Sequence, residues 1–298
     1  LTAYQNLGEI SSLIVDLRDN GGGAITAAID LTGLFLRSGD VIVSTEGRAN
    51  AIVYDKKKDG PLLDIPLVVI INENSASASE LFTGAMQDHD RGIIVGRTTY
   101  GKGLVQRMIK LQDGSGVAIT IARYKTPSGR IIQRPYEMGK GSEYMADSTR
   151  YLHPDSISFK DRPIYTTLNK GRKVYGGGGI TPDIFIAEDT TNVTSYYKEA
   201  SISGLIIQFA FEYTDENRSD MAKYETMEEL AKYLDKQNMV EQFVRYAEKN
   251  GLRRRNLIIR KSHKLLELFI HSRIIYNMLD EQAWTEYINL DDPAIIKT

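Results

Sequence analysis

Cysteine is absent from the 298 residues, which excludes a disulfide framework, a thiol nucleophile and any zinc site built on thiolates. The absence suits a periplasmic or secreted protein that avoids disulfide errors, although many cytosolic proteins also lack the residue. Histidine is scarce, and His89, His153, His263 and His271 show no H-x-x-x-H spacing. They do not read as a metal site. No run approaches the ~18–20 apolar residues of a membrane span. No charge of one sign dominates either, with 37 Lys plus Arg against 39 Asp plus Glu for a net of -2. That balance carries no broad basic field for nucleic acid. No signal peptide is visible, and a first residue Leu1 rather than Met reads as a processed product or a fragment.

What remains is ordinary globular usage, 42% hydrophobic and 26% charged, ample for a core and unlike disordered or collagen-like chains. The length suggests two domains. Residues 12–17 form a short apolar run that stops at Asn20-Gly21-Gly22-Gly23; its continuity predicts a strand buried on both faces. A helix follows over 24–36, then strands at 41–43, 51–54 and 67–71. A second strand-to-helix junction lies at Asn72–Glu80, with its helix running to about Asp88, before short strands at 92–96, 104–111 and 116–122. Such alternation favours an α/β core with a partly parallel sheet. Residues 126–189 read as loop-rich. Beyond Thr190 the chain turns helical, with amphipathic stripes on Met227-Leu230-Ala231-Leu234 and Val240-Phe243-Val244-Ala247, and a longer helix over 257–278. The expected domains are therefore residues 1–190 and a helical domain at 191–298.

Two junctions are placed where chemistry is done. Ser75, Ser77 and Ser79 stand at the start of a helix, and Ser77-x-x-Glu80 has capping-box spacing. Capping is the simpler account. The functional account is a serine nucleophile at a helix N-terminus, where unsatisfied N–H groups would receive an oxyanion. Nothing local chooses among the three serines. A serine needs a base; His89, near the far end of the same helix, would point away. Lysine serves when burial lowers its pKa toward neutrality. Lys102, in Tyr100-Gly101-Lys102-Gly103 at the head of an apolar strand, is the candidate, and strand alternation puts Gln106 on its face. The other junction, Asp16–Gly23, holds three glycines whose amides would cradle an oxyanion or phosphate. It matches neither G-x-x-x-x-G-K-[ST] nor G-x-G-x-x-G, so a nucleotide site is poorly supported.

Together, Leu17-Arg-Asp-Asn-Gly-Gly-Gly23, Asn74-Ser-Ala-Ser-Ala-Ser-Glu80 and Val95–Gln106, with 25 residues from Ser77 to Lys102, resemble the C-terminal processing peptidases, or tail-specific proteases. The resemblance is dense over residues 1–135. Pro127-Ser-Gly-Arg130 and Gly178–Ile184 extend it to about 190. It implies an α/β, ClpP/crotonase-like core and a serine–lysine peptidase without cofactor or metal. Ser77 would be nucleophile, Lys102 general base and Gln106 its orienting partner. The amide of Ala78 and one from Gly22-Gly23 would form the oxyanion hole. Implied partners are unfolded or C-terminally exposed protein substrates, with no nucleic acid. A homodimer is one arrangement allowed. The implied setting is the periplasm or cell envelope.

The family's usual PDZ domain has no counterpart here and is expected in a preceding half. The chain is expected to begin within or just after the helix that precedes the first strand. The helical region has no counterpart in the shortest members, and its Arg253-Arg254-Arg255 run reads as a solvated helix start. A catalytically silent peptide- or ligand-binding relative, and a crotonase-like acyl-CoA enzyme, are the competing readings. The intact Ser77, Lys102 and Gln106 set argues against the first. The second would leave Ser77 and Lys102 without a role.

Overall fold

The computed structural model describes residues 10–48, 51–136, 139, 159 and 162–298. His153 and the helix expected before the first strand lie outside them. The chain divides into two compact units, residues 1–188 and 189–297.

The first unit is α/β. Its elements are β1 (Leu13–Asp16), α1 (Ile25–Gly33), β2 (Val41–Gly47), β3 (Ile52–Asp55), β4 (Leu67–Ile71), α2 (Ala78–Asp88), β5 (Ile93–Gly96), β6 (Leu104–Lys110), β7 (Gly116–Lys125), β8 (Ile164–Thr166), β9 (Lys173–Tyr175) and β10 (Ile184–Phe185). A parallel sheet takes the order β1-β4-β5-β10. β4, a β-branched-rich LVVII run, is central and almost wholly buried, as expected of a strand covered on both faces. β1 departs from expectation. It lies at the sheet edge, and its alternate residues, Ile14 among them, face outward. An apolar run alone does not distinguish an edge from a centre.

A second, antiparallel sheet has the order β3-β2-β7-β6. β8, β9 and β10 lie in the stretch expected to be loop; at two or three residues each they are too short to show a period. The expected 24–36 helix is also shorter, ending at Gly33.

Both sheets serve to seat α2. All of its residues after Ala78 are buried, so it shows little amphipathic contrast. Phe82 meets Phe35 edge-on at 5.7 Å, among buried Leu17, Val43, Val69, Met86 and Ile132. At the C-terminal end of α2 the fully buried Arg130 pairs with Asp88 at 2.7 Å and donates to Gln87 Oε1. A helix C-terminus favours a cation. The Pro127–Arg130 turn thus delivers the guanidinium that a buried Asp88 requires.

The second unit is helical: α3 (Ser195–Ile202), α4 (Leu205–Met221), α5 (Met227–Leu234), α6 (Met239–Lys249), α7 (Asn256–Lys261), α8 (His263–Met278), α9 (Glu281–Asn289) and α10 (Pro293–Ile296). The single helix expected at 257–278 is broken at Ser262, whose hydroxyl donates back to Ile258 O and accepts from Thr194 Oγ1. Such back-bonding bends helices. Nor is the arginine run merely solvated. Arg254 grips Glu241 with two bonds of 2.9 Å, and Arg255 reaches Glu199.

Inside this unit His271 is fully buried, with Nδ1 3.1 Å from Tyr287 Oη and Nε2 lacking a partner. Burial pushes its pKa from 6.5 down to about 4, against the opposing pull of Asp235. The unfolded chain therefore takes up this proton first. Stability from a neutral His271 is complete above pH 6.5 and is lost as pH falls toward 4, on the order of 3 kcal/mol in all. Melts of the helical unit, followed through Trp284, should show this loss across that window. A His271→Gln variant should lack that part of the slope.

Candidate active site

The N-terminus of α2 and the turn after β1 are built as one piece. Ser75 is fully buried; its hydroxyl donates to Leu17 O at 2.7 Å and accepts from Asn72 N at 2.9 Å. Ser79 is buried too and donates to Asn20 O at 3.0 Å. Both serines are consumed in joining β1's end to the helix start. Ser77 is the one of the three that lines a cleft.

Asp19 completes the joint. Its carboxylate accepts from Asn72 Nδ2 and Asn74 Nδ2. Burial opposes its ionisation, but these bonds hold its pKa below the ordinary carboxylate value.

Ser77 adopts φ +57°, ψ -114°, a conformation that costs a non-glycine residue of order 1–3 kcal/mol and persists only where its surroundings over-determine it. Gly22 contributes by its missing side chain. At φ +89°, a Cβ there would lie 2.6 Å from both Ala76 O and Ala78 N. Its own amide donates to Asn20 Oδ1 at 2.9 Å, and its missing side chain lets the two turns touch. Gly23 lines the cleft, as does Ala78, whose N–H is the first of α2 and has no intrahelical acceptor.

The cleft, about 420 Å³, is lined by Ser77, Lys102 and Gln106 together with Gly23, Ala78 and Tyr124. Ile25, Leu81, Leu104 and Val105 give it an apolar flank. Lys102 and Gln106 meet there for a reason other than strand alternation. Lys102 precedes β6, and a register shift falls between Val105 and Gln106. His89, at the far end of α2, contacts Val41 O at 2.7 Å and is not among the cleft residues.

Two residues that sequence reasoning missed hold this cleft in shape. Glu80, with no exposed surface, accepts from Ser77 N (2.8 Å), Thr99 Oγ1 (2.5 Å), Gly101 N (2.7 Å) and Lys102 N (2.8 Å). Burial pushes its pKa up while the four donors oppose that shift. Ser77-x-x-Glu80 signals the first bond as half of a capping box; nothing local signals the other three. Tyr124 Oη lies 3.0 Å from both Ser77 O and Lys102 O. Among the described residues no group of three or more His, Asp or Glu side chains is arranged to hold a metal ion, and no helix is long and apolar enough to cross a membrane.

Glu80→Gln replaces one carboxylate oxygen with an NH₂ that faces N–H donors. It should cost at least about 2 kcal/mol of stability, the scale of lost hydrogen bonds to a charged group. Denaturant melts of the parent and the variant measure this loss.

Residues 1–141 match the model of peptidase family S41, and residues 196–280 match a family of unknown function, DUF8443. The chain is 48% identical over 154 residues to the tail-specific protease of Haemophilus influenzae, covering 50% of this chain and 21% of that protein. It is 45% identical over 122 residues to carboxyl-terminal-processing peptidase 1, chloroplastic, of Arabidopsis thaliana, covering 40% and 24%. The matched stretch amounts to between 21% and 29% of the length of these curated relatives. Among solved structures, the photosystem II D1 C-terminal processing protease aligns at 28% identity and a TM-score of 0.43, over 64% of this chain and 38% of that one.

Proposed function

We propose, from the match of residues 1–141 to the model of peptidase family S41, that the first unit is the catalytic part of a carboxyl-terminal processing peptidase working through Ser77 and Lys102. The observation that carries this reading is the common cleft, where Ser77, Lys102, Gln106, Gly23 and Ala78 are all lining residues.

In this reading neutral Lys102 takes the proton as Ser77 Oγ attacks the scissile carbonyl, and Gln106 steadies the amine through its side-chain oxygen. The tetrahedral oxyanion is received by the N–H groups of Gly23 and Ala78, at the positive end of α2. Collapse breaks the C–N bond, and protonated Lys102 gives its proton to the departing amine. Water then attacks the acyl-enzyme, again losing a proton to Lys102. The new carboxyl terminus leaves and Ser77 recovers its hydrogen.

The apolar flank of Ile25, Leu81, Leu104 and Val105 suits an uncharged side chain beside the scissile bond. The substrates proposed are proteins with unfolded or exposed C-termini. Delivery of those tails by a PDZ domain and action as a homodimer belong to the same reading. So does a bacterial setting, which the H. influenzae likeness favours, with a place in the cell envelope as part of the same proposal.

Digestion of an unfolded protein substrate tests the assignment. Ser77→Ala and Lys102→Met should each lower cleavage by about a thousandfold or more, the scale seen when a nucleophile or its base is removed.

A further inference from the structure

We propose that Tyr124 is a positioning residue of this site, its phenol tying together the backbone of the nucleophile and the backbone of the base. The inference rests on the Ser77–Lys102 reading and deepens it. Tyr124 sits near the end of β7 and pairs with Thr45 of β2. Its own N–H donates to Gly103 O at 3.0 Å, so it is anchored to the segment that follows Lys102 before its side chain is considered. The ring is buried, 3% exposed, and lines the cleft. The hydroxyl then lies 3.0 Å from Ser77 O and 3.0 Å from Lys102 O. One phenolic proton is thus shared between the carbonyls of the two residues whose side chains would exchange a proton in catalysis.

Glu80 does the complementary half. It accepts the N–H groups of the same two residues, each at 2.8 Å. Both polar groups of Ser77's main chain, and both of Lys102's, therefore meet one of these two buried side chains, with Ser77 O also accepting from Leu81 N at 3.0 Å. A carboxylate can only accept and a phenol can donate, so the N–H groups go to Glu80 and the carbonyls to Tyr124. Burial and the nearby Glu80 charge keep the phenol protonated far above its ordinary pKa, so it remains a donor throughout the working range.

The division of labour has a mechanical reason. Ser77 is held at a positive φ that relaxes unless several contacts oppose it, and reaction rates fall steeply when a nucleophile and its base drift by a fraction of an ångström. Tyr124 makes no proton transfer. It sets the distance across which one occurs. A residue of that kind should act on kcat and on the intrinsic reactivity of Ser77 while leaving substrate binding nearly intact.

Tyr124→Phe keeps the ring and removes only the shared proton. The test compares the full chain, Tyr124→Phe and Ser77→Ala in three readouts. These are the rate of Ser77 labelling by a fluorophosphonate, kcat and KM on an unfolded protein substrate, and the melting temperature. The expected result is labelling and kcat both lowered tenfold or more in Tyr124→Phe, KM within twofold and cooperative melting retained. Labelling and kcat within twofold of the parent would overturn the proposal while leaving the Ser77–Lys102 reading in place. Equal labelling of Ser77→Ala and the parent would instead sink that reading and the proposal with it. Should Tyr124→Phe not fold, 4-aminophenylalanine at position 124, which keeps an N–H donor at the same place, decides. Rates within threefold of the parent support the proposal, and a folded protein with tenfold slower labelling overturns it.

Discussion

A carboxylate with no exposed surface is tolerated only when donors replace the water it has lost. Glu80 has four: the amides of Ser77, Gly101 and Lys102 and the hydroxyl of Thr99. The constraint runs in both directions. Because the charge needs all four, the helix N-terminus and the 99–102 segment are not free to move independently. Thr99 extends the hold, since its hydroxyl oxygen also accepts from Ile180 N at 2.7 Å and its own N–H donates to Ile180 O. The Gly178–Ile184 stretch, more than fifty residues beyond the end of β7 in sequence, is thereby fastened to the same carboxylate.

The far end of α2 repeats the device with opposite sign. Asp88 and Arg130 are both fully buried and 2.7 Å apart, and Ser128 N donates to Asp88 Oδ2 at 2.9 Å. Removing one member of such a pair strands a charge and costs about 3–5 kcal/mol, even where the pair itself contributes little net stability. A helix immersed in apolar side chains and pinned by ions at both ends has no freedom to slide or rotate. That rigidity is what a cleft built on its first residue requires, because Ser77 could not otherwise be kept at an unfavourable φ. Gly22 supplies the remaining condition by admitting the Ala76–Ala78 backbone to a distance no side chain would permit.

Legibility differed by region, for physical reasons. Periodicity reveals a helix that has one wet face, so the stripes on α5 and α6 were visible; each buries one side in the helical core. α2 is buried on every side and was visible through its serine-rich junction instead. Among the described residues β8 and β9 pair only with each other, over three residues, too few to carry a period of two. The break at Ser262 depends on Thr194, almost seventy residues away, and a window along the chain does not contain it.

Local sequence determined the α/β order of the first unit, the helical character of the second, the two glycine-and-serine junctions, and Lys102 with Gln106 as candidates, while it left Ser75, Ser77 and Ser79 undistinguished. These are properties of short windows, where turn chemistry and side-chain period act over a few bonds. Which of the three serines lines the cleft was decided by tertiary structure, because it depends on which hydroxyls Leu17 and Asn20 take up. The bond made by the Gly22 amide is likewise a matter of where Asn20 points. The parts played by Glu80 and Tyr124 belong to the same class: beyond the capping-box bond to Ser77 N, their partners lie 19, 21, 22 and 47 residues away. Hydrogen bonds at such separations exist only once the sheets have closed around α2, and no local pattern of residues encodes them.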